Sequence, residues 1–169
     1  MVTKAYRELT GDEKEVWDYF SKVFDFRPSM HRFPAIFEPV PSVTWSLSSL
    51  DDEPGDDRLD GLVRVLHAGF TTLVGEGSIL CLDWQHPSYR VWPSLIGPEN
   101  IGRPGWPLSP YPDGDYFIYL AEDLRFGTLG HPWELSLCAF GSDLLNLVEA
   151  DLHDTLGKVI RRDGRQEAA

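Results

Sequence analysis

Apolar residues recur at helical spacing in three stretches of the chain, and these stretches predict three amphipathic helices. The first helix is predicted over residues 10–24, because Thr10 and Glu13 form a capping box in front of the apolar stripe. The second stripe covers residues 59–74, and the third begins after Ser142, a residue type that favours helix N-termini.

Elsewhere the pattern changes to the short apolar runs and the alternation that are typical of β-strands. Strands are predicted at residues 43–47, 79–82, 89–92, 115–121, 126–129 and 133–140. Consecutive strands without an intervening helix favour antiparallel pairing, so the sequence predicts an α+β protein. We expect a mainly antiparallel sheet of about five to six strands, with about three helices packed on one of its faces.

Domain organisation follows from the same patterns and from chain length. The 169 residues are expected to form a single domain over residues 1–157. The polar C-terminal stretch, residues 158–169, is expected to be a disordered tail.

Composition and charge restrict the kind of partner. The chain carries a formal net charge of −12, so it repels nucleic-acid phosphates and no nucleic-acid partner is expected. No apolar run is long enough to span a membrane and the N-terminus lacks a signal core, so we expect a cytoplasmic protein with no membrane partner. Six of the ten residues at 51–60 are acidic, which is typical of a solvated loop but also fits a docking surface for a basic partner.

Several kinds of catalysis lack support in the sequence. There is no GxSxG elbow, and the glycine pairs match neither a phosphate-binding loop nor a dinucleotide fingerprint, so no cofactor is expected. Cys81 and Cys138 fall inside predicted strands and are interpreted as reduced, buried, small hydrophobic residues. A disulfide between them would require that their two strands pair.

Two short segments concentrate ionisable and aromatic residues beside proline. Residues 83–93 read DWQHPSYRVWP and residues 130–134 read GHPWE. Proline disfavours the helical conformation of the preceding residue, so both histidines are held extended at strand turns. If the two turns lie at the same end of the sheet, the imidazoles converge with an acidic side chain beside each. The candidate catalytic residues are Asp83, His86, His131 and Glu134.

Three kinds of function fit these residues. The first is acid–base catalysis by the two histidines, with Arg125 holding an anionic substrate. The second is a metal site of His86 and His131 with one carboxylate from Asp83, Asp115 or Glu134, but no recognised ligand spacing such as HExxH is present, so no metal is expected. The third is a binding pocket with aromatic walls and polar groups that orient a ligand. The candidate ligand-binding residues are Trp84, Gln85, Tyr89, Trp92, Asp113, Asp115, Arg125 and Trp133.

A purely structural role accounts for the same residues. Asp83 can accept hydrogen bonds from backbone amides of the turn that follows it. A buried histidine with a polar partner can simply be a satisfied pair in the core.

Longer phrases of the sequence resemble a bacterial family of unknown function. They are Phe-Arg-Pro-Ser at 26–29, Glu-Pro-x-Pro-Ser-x-Thr at 38–44, Leu-Asp-Trp-Gln-His-x-x-Tyr at 82–89, Pro-x-Gly-Asp-Tyr at 112–116 and Gly-x-x-Gly-His-Pro-Trp-Glu at 127–134. The resemblance runs from about residue 15 to residue 146. It implies a shared fold and a bacterial origin, and it carries no activity with it.

Two functional hypotheses of different classes follow. In the first, the protein is a binding or interaction module that uses an aromatic and polar pocket. Its partner would be a basic protein, as for an immunity- or antitoxin-like protein, or a small-molecule ligand. In the second, it is a small cofactor-independent enzyme that uses His86 and His131 in acid–base catalysis on a small polar substrate. The absence of a complete catalytic motif favours the first hypothesis.

Overall fold

A computed structural model describes residues 4–50, 57–97 and 105–168, and three helices and nine strands lie within them. The helices are α1 (Glu13–Phe24), α2 (Arg58–Val74) and α3 (Ser142–Leu156). The strands are β1 (Tyr6–Glu8), β2 (Ser42–Ser46), β3 (Ile79–Asp83), β4 (Tyr89–Val91), β5 (Phe117–Ala121), β6 (Gly127–His131), β7 (Ser136–Phe140), β8 (Val159–Arg162) and β9 (Arg165–Gln166).

All nine strands belong to one sheet, and every neighbouring pair in it is antiparallel. The strand order is β1-β4-β3-β5-β6-β7-β2-β8-β9. This confirms the predicted α+β class, the antiparallel sheet, the single domain and the three helices. The predicted number of strands is too low, because β1, β8 and β9 were not expected.

Each central strand is apolar on both of its sides, so the sheet is covered on both faces. In β3, Ile79 and Cys81 pack with α2 and α3, whereas Leu80 and Leu82 pack with α1. We call these two sides the α2 face and the α1 face of the sheet. The expectation that all helices pack on one face is therefore wrong. A strand that is apolar on both sides needs a covering layer on both.

The C-terminal residues complete one side of the sheet. Strand β8 pairs with β2, and β8 and β9 form a hairpin around Asp163 and Gly164. Both turn residues have positive φ angles, of 53° and 76°, as a two-residue hairpin turn of this kind requires. The disordered tail expected over residues 158–169 is therefore replaced by an ordered hairpin over residues 159–166.

The two cysteines are buried and reduced, and they lie on opposite faces of the sheet. Cys81 belongs to the α2 face and Cys138 to the α1 face, and strands β5 and β6 separate their two strands. Burial raises the pKa of both thiols, which keeps them protonated. No disulfide joins them, and neither is suited to act as a nucleophile.

Some sequence expectations fall wholly or partly outside the described residues. The acidic stretch 51–60 is described only from residue 57, and within the long loop over residues 93–114 residues 98–104 lie outside the described ranges. Across the described ranges, no helix is both long enough and apolar enough to cross a membrane.

The start of α1 differs from the prediction. Its N-cap residue is Asp12, which makes no side-chain hydrogen bond, and the expected capping box at Thr10 is not formed.

Candidate functional site

Both His-Pro turns lie at the same end of the sheet. In the strand register, Asp83 of β3 pairs with Phe117 of β5, and Phe117 pairs with Gly130 of β6. The turn after β3 and the turn after β6 therefore leave the sheet at the same end, where residues 113–116 also enter it. We call this the turn end of the sheet.

His86 lies beside two buried carboxylates. Its Nδ1 atom is 3.2 Å from Oδ1 of Asp83 and 3.4 Å from Oδ2 of Asp115. The backbone N–H of Gln85 donates to the same two oxygens, at 3.1 Å and 3.2 Å. Asp83 and Asp115 are only 5% and 3% exposed, whereas the His86 side chain is 69% exposed. We call these three side chains the carboxylate–histidine group.

The two carboxylates disfavour each other's charge. Burial, together with a hydrogen bond from the acid form and the charge of Asp83, raises the pKa of Asp115 to about 6. The donor atoms of Asp83, His86 and Asp115 all lie within 4.8 Å of one another, and among the described residues they form a group of metal-ligating type. The arrangement suits a bound cation or a shared proton.

His131 is enclosed, and both of its ring nitrogens have partners. Nδ1 accepts the backbone N–H of Glu134 at 3.2 Å, so the proton of the neutral ring is on Nε2. Nε2 faces the hydroxyl of Tyr116 at 3.3 Å, and that hydroxyl donates to the carbonyl oxygen of Ser29. Burial, and then the charge of Arg161, lower the pKa of His131 to about 4, so the ring is neutral at neutral pH.

The two histidines belong to opposite faces of the sheet. Asp115 precedes Tyr116 directly, and successive side chains of an extended strand point to opposite faces. Tyr116 packs on the α1 face with Leu129, whose strand places His131 on the same face. Asp83 and Asp115 therefore lie on the α2 side, and they hold His86 there. The imidazoles share the turn end but have separate sets of partners.

A group of aromatic rings surrounds Tyr116 at the turn end. The Tyr116 ring centroid is 5.6 Å from that of Trp84, 5.5 Å from that of Trp133 and 4.8 Å from that of His131. Phe33 packs against His131, also at 4.8 Å, in an edge-to-face arrangement. Tyr116 is fully buried, whereas Trp84 and Phe33 are 39% and 45% exposed. We call these five side chains the ring cluster.

Glu134 takes part in a buried ion network and does not accompany His86. Its Oε1 is 2.7 Å from Nη2 of Arg161, a close ion pair that is poorly aligned for a hydrogen bond. Arg161 also binds Glu38, whose Oε1 accepts a hydrogen bond from Thr44. Burial lowers the pKa of Arg161, but the two carboxylates more than offset this and raise it.

Several candidate residues lie apart from both groups. Tyr89 packs edge-to-face on Tyr6, and Trp92, beyond β4, is covered by the guanidinium of Arg7. Arg125 lies in the turn between β5 and β6, at the opposite end of the sheet, where it pairs with Asp123. It therefore cannot hold a substrate for His86 or His131. Asp113 is exposed on the loop before Asp115, and Gln85 contributes its backbone N–H to the carboxylates.

A groove of about 730 Å³ lies between α2 and residues 105–110. His67, Arg64 and Trp106 are among its lining residues, and burial lowers the pKa of His67. None of the candidate site residues lines it. This groove is therefore not the predicted aromatic pocket, whose walls were expected to be Trp84, Tyr89, Trp92 and Trp133. Of these four residues, only Trp84 and Trp133 lie together.

Four important residues were not expected from the sequence. They are Phe33, Tyr116, Glu38 and Arg161. Tyr116 stands inside the phrase Pro-x-Gly-Asp-Tyr, so its chemistry was visible but its position was not. Arg161 lies in the segment predicted to be a tail, and the sequence signal that marks its hairpin is Asp163-Gly164 between two short runs.

Fold and site together define a single-domain α+β protein, with a nine-stranded antiparallel sheet that carries an aromatic cluster and a carboxylate–histidine group at one end. The chain belongs to the family described as "Protein of unknown function (DUF2716)", which matches residues 8–145 and so includes both His-Pro turns. This confirms the resemblance to a family of unknown function.

One relative is described as "Uncharacterized protein YxiI" and comes from Bacillus subtilis (strain 168). It is 27% identical to this chain over 154 residues, which cover 86% of this chain and 93% of that protein. No solved structure matches the chain.

Proposed function

We propose that this protein is a binding module that uses the ring cluster at the turn end as its recognition surface for a basic protein. The observation that carries the proposal is the exposure of Trp84 and Phe33, at 39% and 45%, on top of fully buried Tyr116. Exposed aromatic side chains on a rigid base lose little conformational entropy when they bind, and aromatic residues dominate binding energy at protein interfaces.

The rigid base comes from contacts beneath the exposed rings. Trp133 packs edge-to-face on Tyr116 and on Trp84, with ring centroids 5.5 Å and 6.5 Å apart. The Tyr116 hydroxyl is tied to the backbone of Ser29, which fixes the segment that carries Phe33. The two exposed rings are therefore held in place before any partner arrives, which favours binding.

The charge of the protein favours a basic partner. A net charge of −12 attracts basic proteins over long range and raises their association rate at low ionic strength. An immunity- or antitoxin-like role, in which the protein binds and neutralises a basic protein, fits this surface. The alternative is a small-molecule ligand that binds to the same rings. The experiment below distinguishes it from a protein partner.

Joint acid–base catalysis by His86 and His131 has less support. His131 is buried, its ring nitrogens are both engaged, and its pKa of about 4 keeps it neutral. His86 belongs to the other face of the sheet with its own carboxylates. The two imidazoles therefore lack the shared substrate position that the enzymatic hypothesis needs.

The test is affinity capture from the native host with matched variants, followed by reconstitution. Proteins captured by the wild type but not by Trp84→Ala or Phe33→Ala would be identified, produced and titrated. Leu147→Ala is the control, because Leu147 is 44% exposed but belongs to α3, which packs on the α2 face of the sheet.

We expect a basic protein whose dissociation constant rises about tenfold or more on loss of Trp84 and is unchanged by the control. Its association rate should fall as salt is added. If wild type, ring variants and control all bind the same proteins equally, the ring cluster is not the recognition surface. If a small molecule binds the wild type but not the ring variants, the ligand of the ring cluster is a small molecule and not a basic protein.

A further inference from the structure

The geometry points to a divalent transition-metal site formed by Asp83, His86 and Asp115. The site shares the turn end with the proposed recognition surface, but it does not depend on that proposal, since metal binding is measured on the isolated protein. The sequence-based metal hypothesis paired His86 with His131, whereas the structure brings His86 together with Asp83 at the end of β3 and with Asp115 in the segment before β5.

The two separations from Nδ1 of His86 match those between neighbouring ligands of one ion. Nδ1 of His86 is 3.2 Å from Oδ1 of Asp83 and 3.4 Å from Oδ2 of Asp115. Metal–ligand bonds of about 2.0–2.2 Å place neighbouring ligands roughly 3.0–3.5 Å apart at octahedral or tetrahedral angles. Both separations from His86 fall within this range, and the donor atoms of all three residues lie within 4.8 Å of one another, so side-chain adjustments can bring them around a single ion.

Charge balance provides an independent argument. Asp83 and Asp115 are more than nine-tenths buried, face each other, and form their ion pairs within the described residues with His86 alone. A single imidazole that is 69% exposed to water can offset at most one of the two buried negative charges. A divalent cation removes the repulsion between the carboxylates and balances both charges.

The carboxylates are held in position by backbone donors around the site. The N–H of His86 donates to Asp83 at 3.0 Å and the N–H of Tyr116 donates to Asp115 at 2.7 Å, while the N–H of Gln85 is shared by both. Such outer contacts orient metal ligands and are typical of metal sites. The open side, next to exposed His86, leaves coordination positions for water or for a ligand.

The donor set indicates which ions bind. One imidazole nitrogen and two carboxylate oxygens suit zinc or manganese, whereas calcium and magnesium prefer oxygen ligands alone. Three protein ligands with open positions match exchangeable sites better than closed structural sites. We therefore expect reversible binding of one Zn²⁺ or Mn²⁺ ion per chain.

The experiment is calorimetric titration of metal-free protein with Zn²⁺ and with Mn²⁺, with intrinsic tryptophan fluorescence as a second readout. His86→Ala is the main variant, because His86 is exposed and its loss leaves both buried carboxylates in place. His153→Ala is the matched control, since His153 is an exposed histidine on α3. Asp115→Asn and Glu76→Gln form a second pair, in which Glu76 is an exposed acid at the other end of the sheet.

We expect one ion per wild-type chain, and binding at least about tenfold weaker in His86→Ala and Asp115→Asn but unchanged in the two controls. Absence of saturable binding to the wild type, or equal binding by all variants, would overturn the site. Circular dichroism establishes that each variant is folded. If the wild type binds no metal but still captures its partner through the ring cluster, only this metal site is refuted. If the wild type binds metal but the ring variants capture the same proteins as the wild type, only the proposed recognition surface is refuted.

Discussion

The Arg161 guanidinium lies 2.8 Å from the Glu38 carboxylate inside the protein, although the two residues are 123 positions apart in the sequence. Nε of Arg161 donates to both oxygens of Glu38, and Nη2 also lies 2.7 Å from Glu134. One buried cation thus serves two buried carboxylates. It connects the last hairpin to the turn after β6 and to the segment that covers the α1 face.

Replacement of Arg161 should therefore cost far more stability than its place near the C-terminus suggests. Arg161→Ala leaves Glu38 and Glu134 buried without a counter-charge, and we expect the free energy of unfolding to fall by about 3–5 kcal/mol. Arg162→Ala is the control, because the neighbouring Arg162 pairs with Glu149 and Glu167 at the surface. We expect it to cost about 1 kcal/mol or less. Urea denaturation measures both, and similar losses would contradict the central role of Arg161.

The buried His131 should make the protein sensitive to acid. Its pKa is about 4 in the folded protein and near 6.5 in the unfolded chain, so the unfolded state takes up the proton first as pH falls. The contribution of neutral His131 to the free energy of unfolding is therefore fully present above about pH 6.5. It is lost as the pH falls towards 4, by roughly 3 kcal/mol in total.

His131→Gln tests this dependence, since glutamine can accept the Glu134 N–H and donate to Tyr116 without titrating. We expect the variant to lose less stability than the wild type between pH 7 and pH 4, as measured by urea denaturation at several pH values. His153→Gln is the control, because His153 is exposed. Parallel pH profiles for wild type and His131→Gln would show that His131 is readily protonated in the folded protein.

How far the sequence predicts this fold depends on how apolar each element is. The five strands from β3 to β7 contain apolar runs or alternation, and the helices contain clear stripes, so these elements were predicted. Strand β1 reads Tyr-Arg-Glu and is largely exposed at the edge of the sheet, so no apolar pattern marks it. Strands β8 and β9 are similarly polar, and they are held by Arg161 and by pairing with β2.

For the site, sequence reasoning identified the turns but not the faces. The two His-Pro turns share one end because the intervening strands form consecutive hairpins, which the spacing of the strands indicates. Whether His86 and His131 meet depends on the register of β5, which places Asp115 and Tyr116 on opposite faces. No single-sequence pattern fixes that register to one residue. Contacts between distant segments, such as Phe33 with His131, leave no periodic signal at all.

The Tyr116 hydroxyl should anchor the segment that carries Phe33. It accepts the backbone N–H of Ser29 at 3.0 Å and also faces Nε2 of His131. Tyr116→Phe leaves these two donors without a partner, and we expect a loss of about 1–3 kcal/mol. Hydrogen exchange at the Ser29 amide should accelerate more than exchange in β5. Tyr19→Phe is the control, because Tyr19 is 56% exposed on α1, and equal exchange at Ser29 in both variants would contradict the anchoring role.

The final prediction concerns the repulsion between Asp83 and Asp115 in metal-free protein. Asp115→Asn removes one of two buried like charges, and its amide can donate to Asp83 while its oxygen still accepts the N–H of Tyr116. The N–H of Gln85 loses Oδ2 of Asp115 as an acceptor but keeps Oδ1 of Asp83. In the presence of a chelator at pH 7, we therefore expect the variant to unfold at a higher temperature than the wild type, by an amount on the order of 1 kcal/mol or more in free energy.

Addition of excess Zn²⁺ or Mn²⁺ should reverse that order. A ligand that binds only the folded state at about one hundred times its dissociation constant stabilises it by about 2.7 kcal/mol, and Asp115→Asn should gain little of this. Thermal unfolding of the two proteins with chelator and with metal measures the crossover. A variant that is less stable than the wild type in chelator would show that the two carboxylates do not repel, because they already share a proton or a counter-ion.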